Sequence, residues 1–207
     1  MTPQVYAWDG IRPVIDPAAF VHPAAILIGD VIVGAQCYVG PGAVLRGDFG
    51  RVELKPGSNL QETCVCHAFP GKDVVVEEEG HVGHGAILHG CLIGRNALVG
   101  MNSVVMDEAV LGESAILGAQ AFVKAGQVIP PRTMAVGSPA KVLRELTEEE
   151  IAWKRQGTGV YRQLARDARD RLTVAEPLSA VEAGRKRAEA PDYDPLVLER
   201  RGFIERP

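Results

Sequence analysis

Residues 93–129 read IGRNALVGMNSVVMDEAVLGESAILGAQAFVKAGQVI, and this stretch decides the fold. Ile93, Val99, Val105, Leu111, Leu117, Val123 and Ile129 stand six apart without a break. An α-helix repeats every 3.6 residues and a strand every two, so neither explains a period of six. Hexads fit a solenoid in which three of them close one triangular coil of about 18 residues. The aliphatic residue of each hexad points inward, and small residues turn the corners. Toward the N-terminus, Val21, Leu27, Val33, Val39 and Leu45 keep the same spacing. The predicted fold is an all-β solenoid, a left-handed parallel β-helix of hexapeptide repeats, the handedness being a trait of such hexad helices and contrary to the usual right-handed crossover rule.

Between residues 45 and 93 the phase slips three times. Leu54, Leu60 and Cys66 are six apart, but Leu45 to Leu54 is nine, with three residues inserted in GDFGR. Val76, Val82 and Leu88 are six apart, but Cys66 to Val76 is ten, with four residues inserted around Phe69-Pro70-Gly71-Lys72. Leu88 to Ile93 is five, one residue short. Insertions in a solenoid are expected to leave as loops and to carry function.

The β-helix domain is expected over residues 1–146, with regular coils from about residue 11 to about residue 142. Thr147 and Glu150 have capping-box spacing, and Ile151, Trp153, Tyr161, Leu164 and Ala168 form an approximate helical stripe. A C-terminal α-helix over 147–172 is therefore expected against the solenoid, with Gly157 and Gly159 weakening it. Residues 173–207 read as a charged tail with Pro177, Pro191 and Pro195, whose Arg185-Lys186-Arg187 cluster is a solvated face.

Composition narrows the function classes. Hydrophobic residues make up 46% of 207, enough to bury a core, which excludes wholesale disorder. A net charge of -4 gives no polyanion-binding footprint, so nucleic acid is not an expected partner. The first residues lack the apolar run of a secretory leader, and no window has the ~18 apolar residues of a membrane span. A soluble, cytoplasmic protein with reduced thiols and no membrane partner is expected. Cys64 and Cys66 could form a metal pair but read better as small buried residues, as do Cys37 and Cys91.

Four of the five histidines, His67, His81, His84 and His89, crowd around the phase slips. Counting faces puts Leu45, Cys66 and Leu88 on one wall, so Arg46, His67 and His89, which follow them, also stack. Adjacent coils lie about 4.8 Å apart, close enough for His67 and His89 to share one ion. His84 belongs to the preceding wall, as do Asn59 and Gln61, which flank Leu60 one coil below. Two imidazoles on one wall and a third on another meet most easily across a threefold interface between subunits. Three histidines plus water would be an open, catalytic coordination. His81 is expected to be an exposed turn residue, and His22 has no assigned role. Arg46 and Asp48 are read mainly as an intersubunit ion pair, with Glu62 as another anion for the arginine. Gln61 can accept from or donate to a metal-activated water. Tyr161 joins Gln61, Arg46, Glu62, Asn59 and Asp48 in the candidate catalytic set.

At LRGDFGRV, GSNLQETCVCH and VGHGAILHGC the sequence resembles the γ-class carbonic anhydrase family. The resemblance implies His67, His84 and His89 as metal ligands, zinc or iron as the divalent cation, and a homotrimer with metal sites at subunit interfaces. It carries over Arg46, Asp48, Asn59, Gln61 and the acid at Glu62. GHVGHGAILHGC, NALVGMNSVVMD, AFVKAG, VGSPAKVLREL, AWKRQGT and EPLSAVEAGRKR are similar to a subgroup of that family. This is the PaaY type of phenylacetic acid degradation proteins and their carnitine-pathway relatives. That likeness implies a metal-dependent CoA-thioester hydrolase clearing dead-end acyl-CoA species. Two departures stand out. The acid beside Gln61 is commonly Asp in the family and is Glu62 here. The loop after the first ligand, residues 68–73, lacks the family's glutamate proton shuttle, which weighs against fast CO2 hydration.

Three functions follow as alternatives. In the first, a divalent metal lowers the pKa of bound water to about 7 for attack on a carbonyl, with an acyl-CoA or CO2/bicarbonate as the small-molecule substrate. In the second, the chain is a hexapeptide acyltransferase with a single histidine base, and Gly137-Ser138-Pro139-Ala140-Lys141 occurs among such enzymes too. In the third, it is a non-catalytic trimeric scaffold.

Overall fold

The computed structural model describes residues 2–189, 191, 193 and 194. Its strands stack as a left-handed parallel β-solenoid of about seven turns, followed by a C-terminal helix. One wall carries the strands Val65–His67, Ile87–His89, Val104–Val105 and Phe122–Val123. A second carries Val74–Val76, Leu92–Ile93, Val110–Leu111 and Val128–Ile129. The third carries Phe20–Val21, Tyr38–Val39, Asn59–Leu60, His81–Val82, Leu98–Val99 and Ile116–Leu117.

The hexad aliphatics fill the narrow interior. Leu27, Leu45, Leu60, Leu88, Leu111 and Ile129 are fully buried, and each contributes about 1.5–3 kcal/mol by leaving water. Ala25, Ala43, Ala97, Ala109 and Ala115 are buried as well. The corner has two separable requirements. Glycine directly after the inward residue lets successive coils touch, since a Cβ at Gly100 would lie 2.4 Å from the Ala119 nitrogen. The left-handed backbone comes two residues later, at Asn96, Asn102, Glu108, Ser114 and Gln120, with φ between 53° and 59°. It therefore recurs every six residues, in step with the core.

The first insertion is not ejected as a loop. Residues 47–51 are part of one long strand, Val44–Leu54, which pairs with both Val65–His67 and Val74–Val76 and so bridges two walls. Its partner Ile26–Val33 shifts register between Gly29 and Val31, and that bulge absorbs the extra residues. The second insertion does leave as a loop, between Val65–His67 and Val74–Val76. The first paired strand, Gln4–Tyr6, precedes the regular hexads. Its side chains are exposed, so no inward residue announces it. At the far end Lys141–Glu145 pairs antiparallel with Thr133–Val136 and covers that sheet edge.

Helix α1 spans Glu148–Arg171. Thr147 Oγ1 accepts from the Glu150 N–H at 3.3 Å, and Glu150 Oε2 accepts from the Thr147 N–H at 2.9 Å. The helix lies on the third wall, against Phe20–Val21, Tyr38–Val39 and Asn59–Leu60. Its packed face is Ile151, Lys154, Thr158 and Ala165, with Tyr161 and Ala168 partly buried, which corrects the expected stripe. Leu164 is exposed, and Trp153 stacks on Tyr193 instead. A polar anchor sets this face: Lys154 Nζ donates to the Glu79 carbonyl at 2.6 Å and to Asn96 Oδ1 at 3.0 Å. Hydropathy patterning has no means of marking a lysine as inward. Arg185, Lys186 and Arg187 are exposed, whereas Pro195 lies outside the described residues. No helix among the described residues is long and apolar enough to cross a membrane.

Candidate active site

His67 and His89 face each other in register on adjacent coils, with ring centroids 5.4 Å apart. Cys66 and Leu88 just before them are fully buried, so strand alternation turns both imidazoles outward. Each ring has its own carboxylate. His67 Nε2 lies 3.0 Å from Asp48 Oδ1, and His89 Nδ1 lies 2.8 Å from Asp107 Oδ2. The second oxygen of Asp48 accepts from Arg46 Nη1 at 3.0 Å. Arg46 and Asp48 thus pair within the chain, two residues apart on the same side of the strand Val44–Leu54. Phe49 lies 5.3 Å from His67 and Phe69 lies 5.2 Å from His89, ring to ring, and both phenylalanines are about half exposed. The Arg46 guanidinium sits 5.9 Å from the Phe49 ring centre.

Asp107 belongs to this cluster, and sequence reasoning missed it. The signal was available. Leu88 pairs with Val105, so the residues just after Val105 lie above His89 and Gly90. Gly90 is fitted to it, since a Cβ there would come within 2.3 Å of Asp107 Oδ1.

The remaining candidates gather on the third wall. Asn59 pairs with His81 and Leu60 with Val82. Gln61 Nε2 donates to Asn59 Oδ1 at 3.0 Å and lies 2.7 Å from His81 Nε2. That contact makes Nε2 the acceptor and puts the His81 proton on Nδ1, which is buried without a partner among the described residues. His81 is not an exposed turn residue. It sits in a strand beneath α1, 5.2 Å ring to ring from Tyr161. Burial, then the charges of Lys154 and His84, push its pKa down to about 3 and keep it neutral. Tyr161 also lies edge-on to Tyr38 at 5.5 Å, and burial, then Glu62 and Cys64, push its phenol up to about 12. Tyr161 therefore stays protonated and braces this cluster.

His84 occupies the turn after His81–Val82, and its Nδ1 lies 2.5 Å from Glu62 Oε2. The other oxygen, Glu62 Oε1, accepts from the Tyr38 hydroxyl at 2.8 Å. Burial alone would raise the Glu62 pKa. Its backbone bond, Tyr38 and His84 outweigh that and hold it below the usual carboxylate value. His22 stands apart, its Nδ1 accepting from the Ala24 N–H at 3.0 Å.

The structure thus gathers two clusters, His67 and His89 with Arg46 and Asp48 on one wall, and Asn59 and Gln61 beneath Tyr161 on another, with Glu62 and His84 in the turns that follow it. Among the described residues no group of three or more His, Cys, Asp or Glu is placed to hold a metal within one chain. The donor chemistry nevertheless fits a divalent ion. Each of the three imidazoles has one nitrogen against a carboxylate and, among the described residues, no hydrogen-bond partner on the other, the usual arrangement around a metal-ligating histidine. The four cysteines are free and buried, which removes them as competing ligands.

No family model matches the chain. The carnitine operon protein CaiE of Citrobacter koseri is 56% identical over 182 residues, covering 88% of this chain and 92% of that protein. The protein of the same name from Salmonella newport matches to the same extent. A Bacillus cereus protein provisionally named an acetyltransferase has a solved structure at TM-score 0.81 and 34% identity, covering 82% of this chain and 99% of the other. A hexapeptide transferase family protein of Anaplasma phagocytophilum aligns at TM-score 0.77 and 37% identity, covering 80% and 98%.

Proposed function

The chain belongs to the hexapeptide-repeat family that includes the carnitine operon protein CaiE, and from that premise we propose an acyl-group enzyme with a divalent metal centre completed between two copies of the chain. One observation carries this reading: three imidazoles, each backed by its own carboxylate, are divided between one wall of the solenoid and the turn after another. His67 and His89 of one copy and His84 of another would hold zinc or iron, in a homotrimer. A divalent ion bound there supplies polarisation of a carbonyl and a lowered pKa for water.

The chain's own residues orient and enclose. Asp48, Asp107 and Glu62 fix the ring orientations of His67, His89 and His84. Gln61 spends its amide hydrogens on Asn59 and His81, which leaves Oε1 to accept from a water or a substrate donor. Phe49 and Phe69 flank the imidazole pair and suit an acyl chain better than CO2. The favoured reaction is hydrolysis of a CoA thioester. Water adds to the carbonyl carbon, the C–S bond breaks, and the departing thiolate takes up the proton. Phenylacetate catabolism as the setting rests on sequence resemblance alone, and the relatives' name, carnitine operon protein, supports a carnitine-linked setting as the alternative.

Acyl transfer is the second reading. The names of the Bacillus cereus and Anaplasma phagocytophilum proteins support it better than they support thioester hydrolysis or CO2 hydration. His84, oriented by Glu62, would then be the base that takes the acceptor's proton. The test is CoA release from a panel of acyl-CoA thioesters by zinc- or iron-reloaded protein, with and without amine and alcohol acceptors. Acceptor-independent release that is lost in His89→Ala supports hydrolysis. Acceptor-dependent release that survives in His89→Ala and is lost in His84→Ala supports transfer. No release in either format points to CO2 hydration or a scaffold.

A further inference from the structure

We propose that Tyr38 is a positioning residue that locks the ring of His84 through Glu62, an inference that rests on His84 being a site residue. Glu62 is held at both ends. Oε1 accepts from the Tyr38 hydroxyl at 2.8 Å, while Oε2 lies 2.5 Å from His84 Nδ1. A carboxylate gripped by one partner can rotate with it, whereas one gripped on both oxygens has a single useful orientation. With Nδ1–H donating to Glu62, His84 presents a bare Nε2 on a side chain that is 46% exposed.

Tyr38 is built to hold still. It is 7% exposed, stacked on Phe20 at 5.6 Å and 24°, and met edge-on by Tyr161 of α1. Its strand is hydrogen-bonded on both sides, to Phe20–Val21 and to Asn59–Leu60. Gly40 supplies a second, independent observation. A Cβ at that position would come within 2.7 Å of the Glu62 nitrogen and 3.0 Å of Glu62 Oε1. The coil below Glu62 has therefore kept clear the space that its carboxylate needs to reach the phenol. Helix α1, far from His84 in the chain, thereby acts on His84 through Tyr161, Tyr38 and Glu62 in turn.

Tyr38→Phe tests the role, because it keeps the ring and its packing and removes only the hydroxyl. Zinc affinity, read by competition with a chromogenic chelator, is expected to fall about 10–100-fold, as when other outer partners of metal-binding histidines are lost. The melting temperature should stay within a few degrees of the parent. Ring 15N NMR of His84 in metal-free protein gives a second readout. The parent should show one tautomer, protonated on Nδ1, and Tyr38→Phe a mixture. Unchanged affinity together with an unchanged single tautomer overturns the proposal. A parent that binds no zinc, with a tautomer still governed by Tyr38, sinks the metal reading and leaves the positioning role standing.

Discussion

His67 and His89 lie opposite each other on adjacent coils, 5.4 Å apart ring to ring, and each rests on a different carboxylate. The pair arises because Cys66 and Leu88, the inward residues just before them, are in register on adjacent coils, the residues inserted after His67 leaving as a loop.

Removing either ring should therefore empty the site without harming the coil. His89→Ala is expected to lose bound zinc and to lower turnover by more than the ~10–100-fold that follows loss of an outer partner. Metal analysis and CoA release check this, with circular dichroism confirming an unchanged solenoid. Full zinc content in the variant would remove His89 from the ligand set.

Asp107→Asn should separate orientation from ligation. The amide can still meet His89 Nδ1 but carries no charge, so zinc affinity should drop about tenfold or more while the fold persists. Isothermal titration of zinc into parent and variant decides it. Equal affinities would make Asp107 an anchor for the loop, through the Phe69 N–H that its Oδ1 accepts, rather than a residue that positions His89 for a metal.

Stability should rise with pH through the neutral range because of Lys154. Burial pushes its pKa down from 10.5 to about 7. Below about 7 both folded and unfolded states carry the proton, and the cost of burying the charge is present in full. Between about 7 and 10.5 the unfolded chain holds a proton that the folded one has lost, so stability climbs, by at most ~1.4 kcal/mol per pH unit. Lys154→Met should flatten that slope in urea titrations at several pH values. An unchanged slope would assign it to another group.

Core hexad positions should tolerate truncation poorly. Leu111→Ala is expected to cost about 2–5 kcal/mol, because coils stacked above and below cannot collapse into the space. Val174→Ala, at a position 82% exposed, should change stability by less than ~0.5 kcal/mol. Chemical denaturation of both variants makes the comparison.

The solenoid was legible because hexads report one thing reliably, which residue points inward on each face. Counting faces through the insertions also brought His67 beside His89 and put His84 elsewhere. What hexads do not report is what lies on the outside of a wall. His81 reads as an exposed turn residue until α1 is laid over it with Tyr161. Lys154 reads as a surface lysine until its ammonium is seen bonded to the Glu79 carbonyl and Asn96. Asp107 was findable by the same face count that placed the histidines, but an outward acid carries no distinguishing mark among many. Arg46 and Asp48 read mainly as a pair between subunits, and the structure holds them as an ion pair within the chain, two residues apart on one strand.

The claim that the site is completed between chains is tested most directly by mixing His84→Ala with His89→Ala subunits. Each variant alone should bind no zinc and release no CoA. Unfolded together in equal amounts and refolded as trimers, they form mixed rings in which one intact His67–His89 pair meets one intact His84. Recovery of roughly a quarter of the parent's zinc sites and turnover is the expected result for random assembly of a threefold ring. Mixed trimers that recover neither would contradict a shared site.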